Sequence, residues 1–309
     1  LRYHEIFITI KSYIYIHFFI WYSLLSSFFF FFLFSSFFFL FSFTNIRLLL
    51  DANADVRARD LDGNTALVRA AALNRKDIAR MLWTLSDAAK EGSVDIVRER
   101  LASNSVNVDE RDEKGKTALL WAAERGHLNV VQLLIGAAAD VNVQDKEGNH
   151  ALVCATREGH PKIMRMLIES NADVNAKNTD GTTTLMVAAA AGKMELVKLI
   201  IKTGGLEVNA RDNRSNTALI IAARENHTEV CQILVDAEAD VDARNENGMV
   251  AIVLSFKNKN LNMMLKLITA GADISLKNQN GETVLITASK SGNKKVVQML
   301  LQANADVNA

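Results

Sequence analysis

The sequence predicts an all-α solenoid, a stack of short helix pairs joined by hairpin loops, and three observations carry that prediction. A turn residue recurs at Gly63, Gly115, Gly148, Gly181, Ser215, Gly248 and Gly281, in steps of 52, 33, 33, 34, 33 and 33 residues. A second series falls eleven or so residues later, at Asn74, Gly126, Gly159, Gly192, Asn226 and Gly292, with Gly92 in the long first step and only Lys259 departing from the glycine-or-asparagine pattern. Between and after these positions the apolar residues follow helical spacing. Self-similarity at a period near 33 residues is the signature of a repeat architecture rather than of one large core.

Each part of the unit has a physical reason. Leu119, Ala122 and Ala123 share one face of a short inner helix, where small side chains let neighbouring helices approach. Gly126 ends that helix, because glycine accepts the left-handed conformation at a helix C-terminus. Val130, Val131, Leu133 and Leu134 then give the apolar stripe of an outer helix. Pro161 opens one outer helix, where its missing N–H leaves no bond unmade. Asp140 to Gly148 is polar and reads as a hairpin turning at the glycine. The doubled Gly204-Gly205 accounts for the single step of 34. One unit buries too little surface to fold alone, whereas stacked units bury a continuous core.

The unit resembles the ankyrin repeat. The segment Asp112-Glu-Lys-Gly115-Lys-Thr117-Ala-Leu119 and the ending Ala139-Asp140-Val141-Asn142 recur along the chain, and the resemblance covers Asn45 to Ala309, about eight repeats. The fold class is therefore expected to be an ankyrin-repeat solenoid. One departure is consistent: the family's Thr-Pro-Leu-His stands here as Thr65-Ala-Leu-Val68, Thr117-Ala-Leu-Leu120, Thr217-Ala-Leu-Ile220 and Thr283-Val-Leu-Ile286. The resemblance implies that each Thr loses its histidine partner, so a less tightly tied hairpin base is expected.

Residues 1–44 are a different kind of sequence. Of 15 Phe, 14 lie at or before Phe43, as do all four Tyr, and Ser12 to Ile46 contains no Asp, Glu, Lys or Arg. Phe18 to Phe43 is long enough to cross a bilayer, which needs about 20 apolar residues. Yet Ser23 to Phe43 consists of 11 Phe, 6 Ser and 4 Leu, three residue types that share pyrimidine-only codons. Translated non-coding sequence is thus the alternative to a membrane helix over 18–43. Two domains are expected, 1–44 and the array 45–309. The chain starts at Leu1 and ends at Asn308-Ala309 with no polar terminal cap, and it reads as a fragment.

The 52-residue step between Gly63 and Gly115 holds four expected helices and one hairpin. Leu67 to Leu73 pairs with Asp77 to Leu85, and Ser86 to Glu91 with Val94 to Leu101. No helix breaker is evident from Asp77 to Glu91, so the second and third of these are expected to run together or to meet in a very tight bend. Leu85 onward resembles the hairpin-less first repeat of an array, making Leu85 an alternative start to Asn45. Arg69 occupies an inner-helix slot that holds Trp121, Val187 and Ile221 elsewhere, and is expected to snorkel or to find a carboxylate.

Enzyme chemistry is not expected. The chain has 35 basic and 35 acidic residues, so no global field holds nucleic acid. Two distant cysteines, Cys154 and Cys231, make neither a disulfide framework nor a zinc site. His127, His160 and His227 share one repeat slot and read as structural. No catalytic, cofactor or metal site is expected.

What remains is a surface. The resemblance implies a concave face of hairpin tips and inner-helix ends, which here carries Lys114, Lys116, Arg125, Lys146, Arg157, Arg211, Arg214, Arg224, Arg244, Lys257 and Lys277 among fewer acidic residues. The expected function is a non-enzymatic, monomeric, cytoplasmic scaffold that binds another protein there. Two alternatives are the soluble part of a membrane protein or channel anchored through 18–43, and a regulatory array of an enzyme or ubiquitin-ligase subunit. The resemblance also implies possible hydroxylation of Asn142, Asn175 and Asn308, each following Ala-Asp-Val.

Overall fold

The structure is a computed structural model, and it describes residues 64, 66–72, 78, 82–102, 106–278 and 280–308. Residues 1–44, the side chain of Arg69 and Asn74 lie outside the described residues, as do 77 and 79–81 of the helix expected over 77–85, whose residues 82–84 are not helical. The chain divides into two units, Leu1–Trp83 and Thr84–Ala309. In the first, one helix is described, α1 (Ala66–Ala72), within a residue of its expected place.

In the second unit fourteen helices are described. The inner ones are α2 (Leu85–Lys90), α4 (Ala118–Arg125), α6 (Ala151–Glu158), α8 (Thr184–Ala190), α10 (Ala218–Arg224), α12 (Ala251–Lys257) and α14 (Val284–Lys290). The outer ones are α3 (Val94–Leu101), α5 (Leu128–Gly136), α7 (Pro161–Glu169), α9 (Met194–Ile201), α11 (Thr228–Asp236), α13 (Leu261–Thr269) and α15 (Lys294–Gln302). Each inner helix packs on its own outer helix and on the next inner helix, and the outer helices from α3 to α13 pack in sequence too. Among the described residues the only β pairing is an isolated bridge between Lys177 and Thr183. The fold is an all-α, two-layered solenoid.

The core follows from the repeat. Ala118 to Ala123 are all buried on α4, and the equivalent run Ala151 to Thr156 is buried on α6. Leu134, Leu167, Ile200, Leu234, Leu267 and Leu300 form the outer-helix stripe, each at most 1 % exposed. Trp121 sits in this packing at 7 % exposure, with its indole N–H donating to Asp112 Oδ2 at 2.8 Å.

The left-handed ends are present at Gly92, Gly126, Gly159, Gly192, Asn226 and Gly292. Lys259 takes the same conformation, φ 57°, despite its side chain. The geometry of the stack imposes it there, against a preference of about 1–2 kcal/mol. A second left-handed series ends the outer helices, at Ala138, Asn171, Glu238, Gly271 and Asn304. Gly271, Asn171 and Asn304 are residue types that suit that conformation, whereas Ala138 and Glu238 give no such sign in the sequence.

Of the two forms expected for the stretch before 85–91, the structure takes the tight bend and not a continuous helix. Thr84 is extended (φ −68°, ψ 171°) and opens α2 with a reciprocal capping box: Asp87 N–H donates to the Thr84 hydroxyl, and Thr84 N–H donates to Asp87 Oδ2 at 2.9 Å. Thr-x-x-Asp is a helix start signal. No hairpin intervenes between Trp83 and Asp87.

The hairpin bases carry ties of their own. Thr117, Thr183, Thr217 and Thr283 each cap the inner helix, their hydroxyl oxygens accepting from Leu120, Met186, Ile220 and Ile286 N–H at 3.3–3.4 Å. An Asx turn closes each hairpin independently of any histidine. Asp145 Oδ1 accepts from Glu147 and Asn149 N–H, while Asp145 N–H donates to Asn149 O at 2.9 Å. Asp112, Asn178, Asp212, Asn245 and Asn278 do the same work in their repeats.

Candidate functional site

Hairpins, inner-helix ends and the joints between repeats compose the candidate surface. Backbone bonds join successive tips: Lys146 N–H to Lys114 O, Thr179 N–H to Glu147 O, Asn213 N–H to Asp180 O and Glu246 N–H to Arg214 O, at 3.0–3.2 Å. A side-chain ladder runs beside them. Arg111 donates to Gln144 O, Gln144 to Lys177 O, Lys177 to Arg211 O, Arg211 to Arg244 O and Arg244 to Lys277 O. Two predicted binding residues, Arg211 and Arg244, therefore spend their guanidinium groups on holding the stack. The spacing of 33 residues in the sequence could have revealed this ladder, since each rung has a long donor in the same slot.

Other predicted residues fall into distinct settings. Lys114, Arg125, Lys146, Arg214 and Lys277 are exposed. Arg157 donates to Asn149 Oδ1 at 3.0 Å, Arg224 pairs with its neighbour Glu225 at 3.0 Å, and Lys257 approaches Met249 Sδ at 3.6 Å. Lys116 is largely covered and paired with Glu124. Its ammonium also lies 4.4 Å from the centre of the Trp121 ring, with those of Lys90 at 4.8 Å and Lys114 at 5.7 Å. Lys90 is absent from the predicted set, because it comes from the irregular first repeat.

The periodic histidines serve the joints. His127 Nε2 stands 3.0 Å from Lys90 O, His160 Nε2 3.2 Å from Glu124 O and His227 Nε2 3.1 Å from Ala190 O, each reaching back to the preceding inner helix. The ring occupies the space above a glycine. A Cβ on Gly126 would come within 2.5 Å of the His160 ring, and one on Gly92 or Gly192 would meet His127 or His227 as closely. Glycine in that slot thus does two jobs, a left-handed turn and a seat for the next repeat's imidazole. Lys193 and Asn258 make the corresponding reach to Arg157 O and Ala223 O.

Asn142 and Asn175 bridge repeats in the same manner. Asn142 Nδ2 donates to Asn171 O and its Oδ1 accepts from Asp173 N–H at 2.8 Å; Asn175 repeats this with Gly205 O and Glu207 N–H. Asn209, outside the predicted set, has the same geometry toward Glu238 O and Asp240 N–H. Asn308 is exposed and its N–H donates to Asp306 Oδ1.

Reactive groups are scarce. Burial pushes both thiols, Cys154 and Cys231, up to about 12, so neither is a thiolate at neutral pH. Among the described residues no group of three His, Cys, Asp or Glu side chains is placed to hold a metal ion, and no helix is long and apolar enough to cross a membrane.

Stacked helix pairs locked by hairpin ladders define a helical-repeat array. A family model described as ankyrin repeats matches three times, over residues 85–178, 175–245 and 238–309. The chain belongs to the ankyrin repeat family, whose arrays are generally protein-interaction modules.

The ankyrin repeat domain of Bcl-3, described as a unique member of the IkappaB protein family, is similar in structure. Its TM-score is 0.61 at 28% identity, over 65% of this chain and 92% of that one. Acyl-CoA-binding domain-containing protein 4 of Oryza sativa subsp. japonica is 47% identical over 47 residues, covering 15% of this chain and 14% of the relative. Potassium channel AKT2/3 of Arabidopsis thaliana is 30% identical over 108 residues, covering 31% and 13%. The chain thus spans a small part of these curated relatives' length.

Proposed function

We propose that the array is a non-enzymatic scaffold that binds a partner protein through the concave side formed by hairpin tips and inner-helix ends, and that it prefers acidic or polar segments. The observation that carries this reading is the row of exposed cations: Lys114, Lys146 and Arg214 on hairpins whose backbones are tied together, Arg125 at an inner-helix end, and Lys277 at the last hairpin. A rigid platform loses little conformational freedom on binding, and complementary charge speeds encounter and excludes wrong partners. The buried, unbonded cysteines fit a reducing compartment such as the cytoplasm.

The test is charge reversal on two sides of the array with the physiological partner. Lys146→Glu combined with Arg214→Glu is expected to weaken binding at least about tenfold, with a steep salt dependence lost alongside. Lys198→Glu with Lys202→Glu, on and after the outer helix α9, should leave it unchanged. Binding that ignores salt, or that responds only to the α9 pair, overturns the reading.

Asn142, Asn175 and Asn308 are proposed sites of asparagine hydroxylation. Since the amides of Asn142 and Asn175 are bonded on both sides to the next hairpin, a modifying enzyme must first open that joint. Peptide mass measurement on the natural protein, seeking a gain of one oxygen, checks the sites.

A further inference from the structure

The stack gathers three ammonium groups around one indole, although they come from two repeats. Lys90 closes the last turn of α2, Lys114 sits at the 112–115 turn, and Lys116 precedes α4. All three lie within 6 Å of the Trp121 ring centre, the range in which a ring face attracts cations. Trp121 cannot itself receive a partner's side chain, being 7 % exposed and fixed by its bond to Asp112. It acts as a platform for the lysines.

Local carboxylates do not neutralise all three. Glu124 pairs with Lys116. Asp112 is spent on Trp121 Nε1 and on the Lys114 and Lys116 backbone N–H groups. Among the described residues Lys90 and Lys114 have no carboxylate within ion-pair distance. Being 4.8 and 5.7 Å from a common centre, their ammonium groups stand no more than about 10.5 Å apart. Two carboxylates at positions i and i+2 of an extended peptide, about 7 Å apart along the strand, can reach both.

We infer that Lys90 and Lys114, held over Trp121, form an anion subsite that selects an acidic, extended segment of the partner protein. This deepens the scaffold reading and rests on it. It assigns specificity to the first hairpin and to α2, and it makes Lys90 a binding residue.

The indole supplies the readout. In the full chain carrying Trp21→Phe and Trp83→Phe, Trp121 is the sole tryptophan. Titration with a peptide bearing Asp-x-Glu in an otherwise neutral sequence is expected to change its emission saturably. Lys90→Gln with Lys114→Gln should weaken that binding at least tenfold, while Lys294→Gln with Lys295→Gln, at the far end of the array, should not alter it. Unchanged far-ultraviolet circular dichroism of each variant shows that the array remains folded.

An emission that does not respond, or binding indifferent to the Lys90/Lys114 change, overturns the subsite. So does tighter binding of a single-stranded oligonucleotide than of the peptide. If the physiological partner still depends on Lys146 and Arg214 but not on Lys90 and Lys114, the subsite fails and the scaffold reading stands. Loss of both dependences fails the scaffold reading as well.

Discussion

Gly148→Ala is expected to destabilise the array by about 3 kcal/mol, and Gly205→Ala by only about 1 kcal/mol. Both glycines lie in the left-handed region, at φ 77° and 73°. A non-glycine residue there costs about 1–2 kcal/mol, offset by a few tenths from the less flexible unfolded chain. What separates them is the neighbouring hairpin. A Cβ on Gly148 would lie 2.7 Å from Thr179 N and 2.9 Å from Asn178 Cα, whereas nothing lies within 4 Å of one on Gly205. Those neighbours are backbone, so no rotamer change relieves the clash, and forcing the hairpins apart strains the Thr179–Glu147 bond of 3.0 Å. Overpacking of this sort costs typically about 1–3 kcal/mol. Urea unfolding of the two variants followed by circular dichroism measures the difference. Equal losses would show that the left-handed turn, and not the close stacking of tips, dominates.

Replacing His150 by threonine is expected to raise stability, and to raise it more in mild acid. His150 occupies the slot of Thr117, Thr183, Thr217 and Thr283, yet it makes no side-chain cap to α6. It is fully buried, and neither ring nitrogen makes a hydrogen bond of good geometry, the Ala176 backbone approaching without completing one. Threonine restores a cap, about 1 kcal/mol, and removes an orphaned polar ring, about 1–3 kcal/mol. The smaller side chain leaves a void that takes back about 1 kcal/mol. The net expectation at neutral pH is a gain of about 1–3 kcal/mol.

The acid effect follows from the ring's environment. Burial lowers the His150 pKa from 6.5, against the opposing pull of Asp173 and the Ala176 backbone. The unfolded chain therefore binds a proton below pH 6.5 that the folded chain refuses. Stability is insensitive to this group above pH 6.5, declines as pH falls below it, and levels off only below the depressed folded value. The His150→Thr chain lacks that decline. Melting temperatures of both chains from pH 7.5 to 5 provide the comparison. Parallel curves would sink the assignment.

These two residues show where sequence reading reaches and stops. Gly148 is visible as a turn from its place in the 33-residue series, because the left-handed demand is local. That its α-hydrogen faces the backbone of the next hairpin is not local, and only the stack shows it. His150 breaks a threonine series that the sequence displays openly. Its seriousness depends on complete burial without a partner, which no spacing reveals. Thr84 and Asp87 are equally local, a Thr-x-x-Asp capping box written in four consecutive residues.

On the candidate surface the division is similar. Exposed lysines and arginines at hairpin tips follow from the polar half of the repeat. Arg211 and Arg244 look the same in sequence but bond to backbone carbonyls one repeat away. Conversely, Lys90 shares the slot of Arg157, Arg224 and Lys257, two residues before the left-handed cap, but that it reaches Trp121 follows only from α2 packing on α4.

By itself the sequence determined the period, the helix pairs, the left-handed ends and the ankyrin family, since each rests on residues close together in the chain. Tertiary structure alone decided what the periodic side chains do: imidazoles seated over glycines, asparagine and arginine ladders, and lysines from two repeats on one ring. The physical reason is that these bonds join residues about one period apart. Their partners are largely backbone groups, which every residue carries and no side-chain pattern announces.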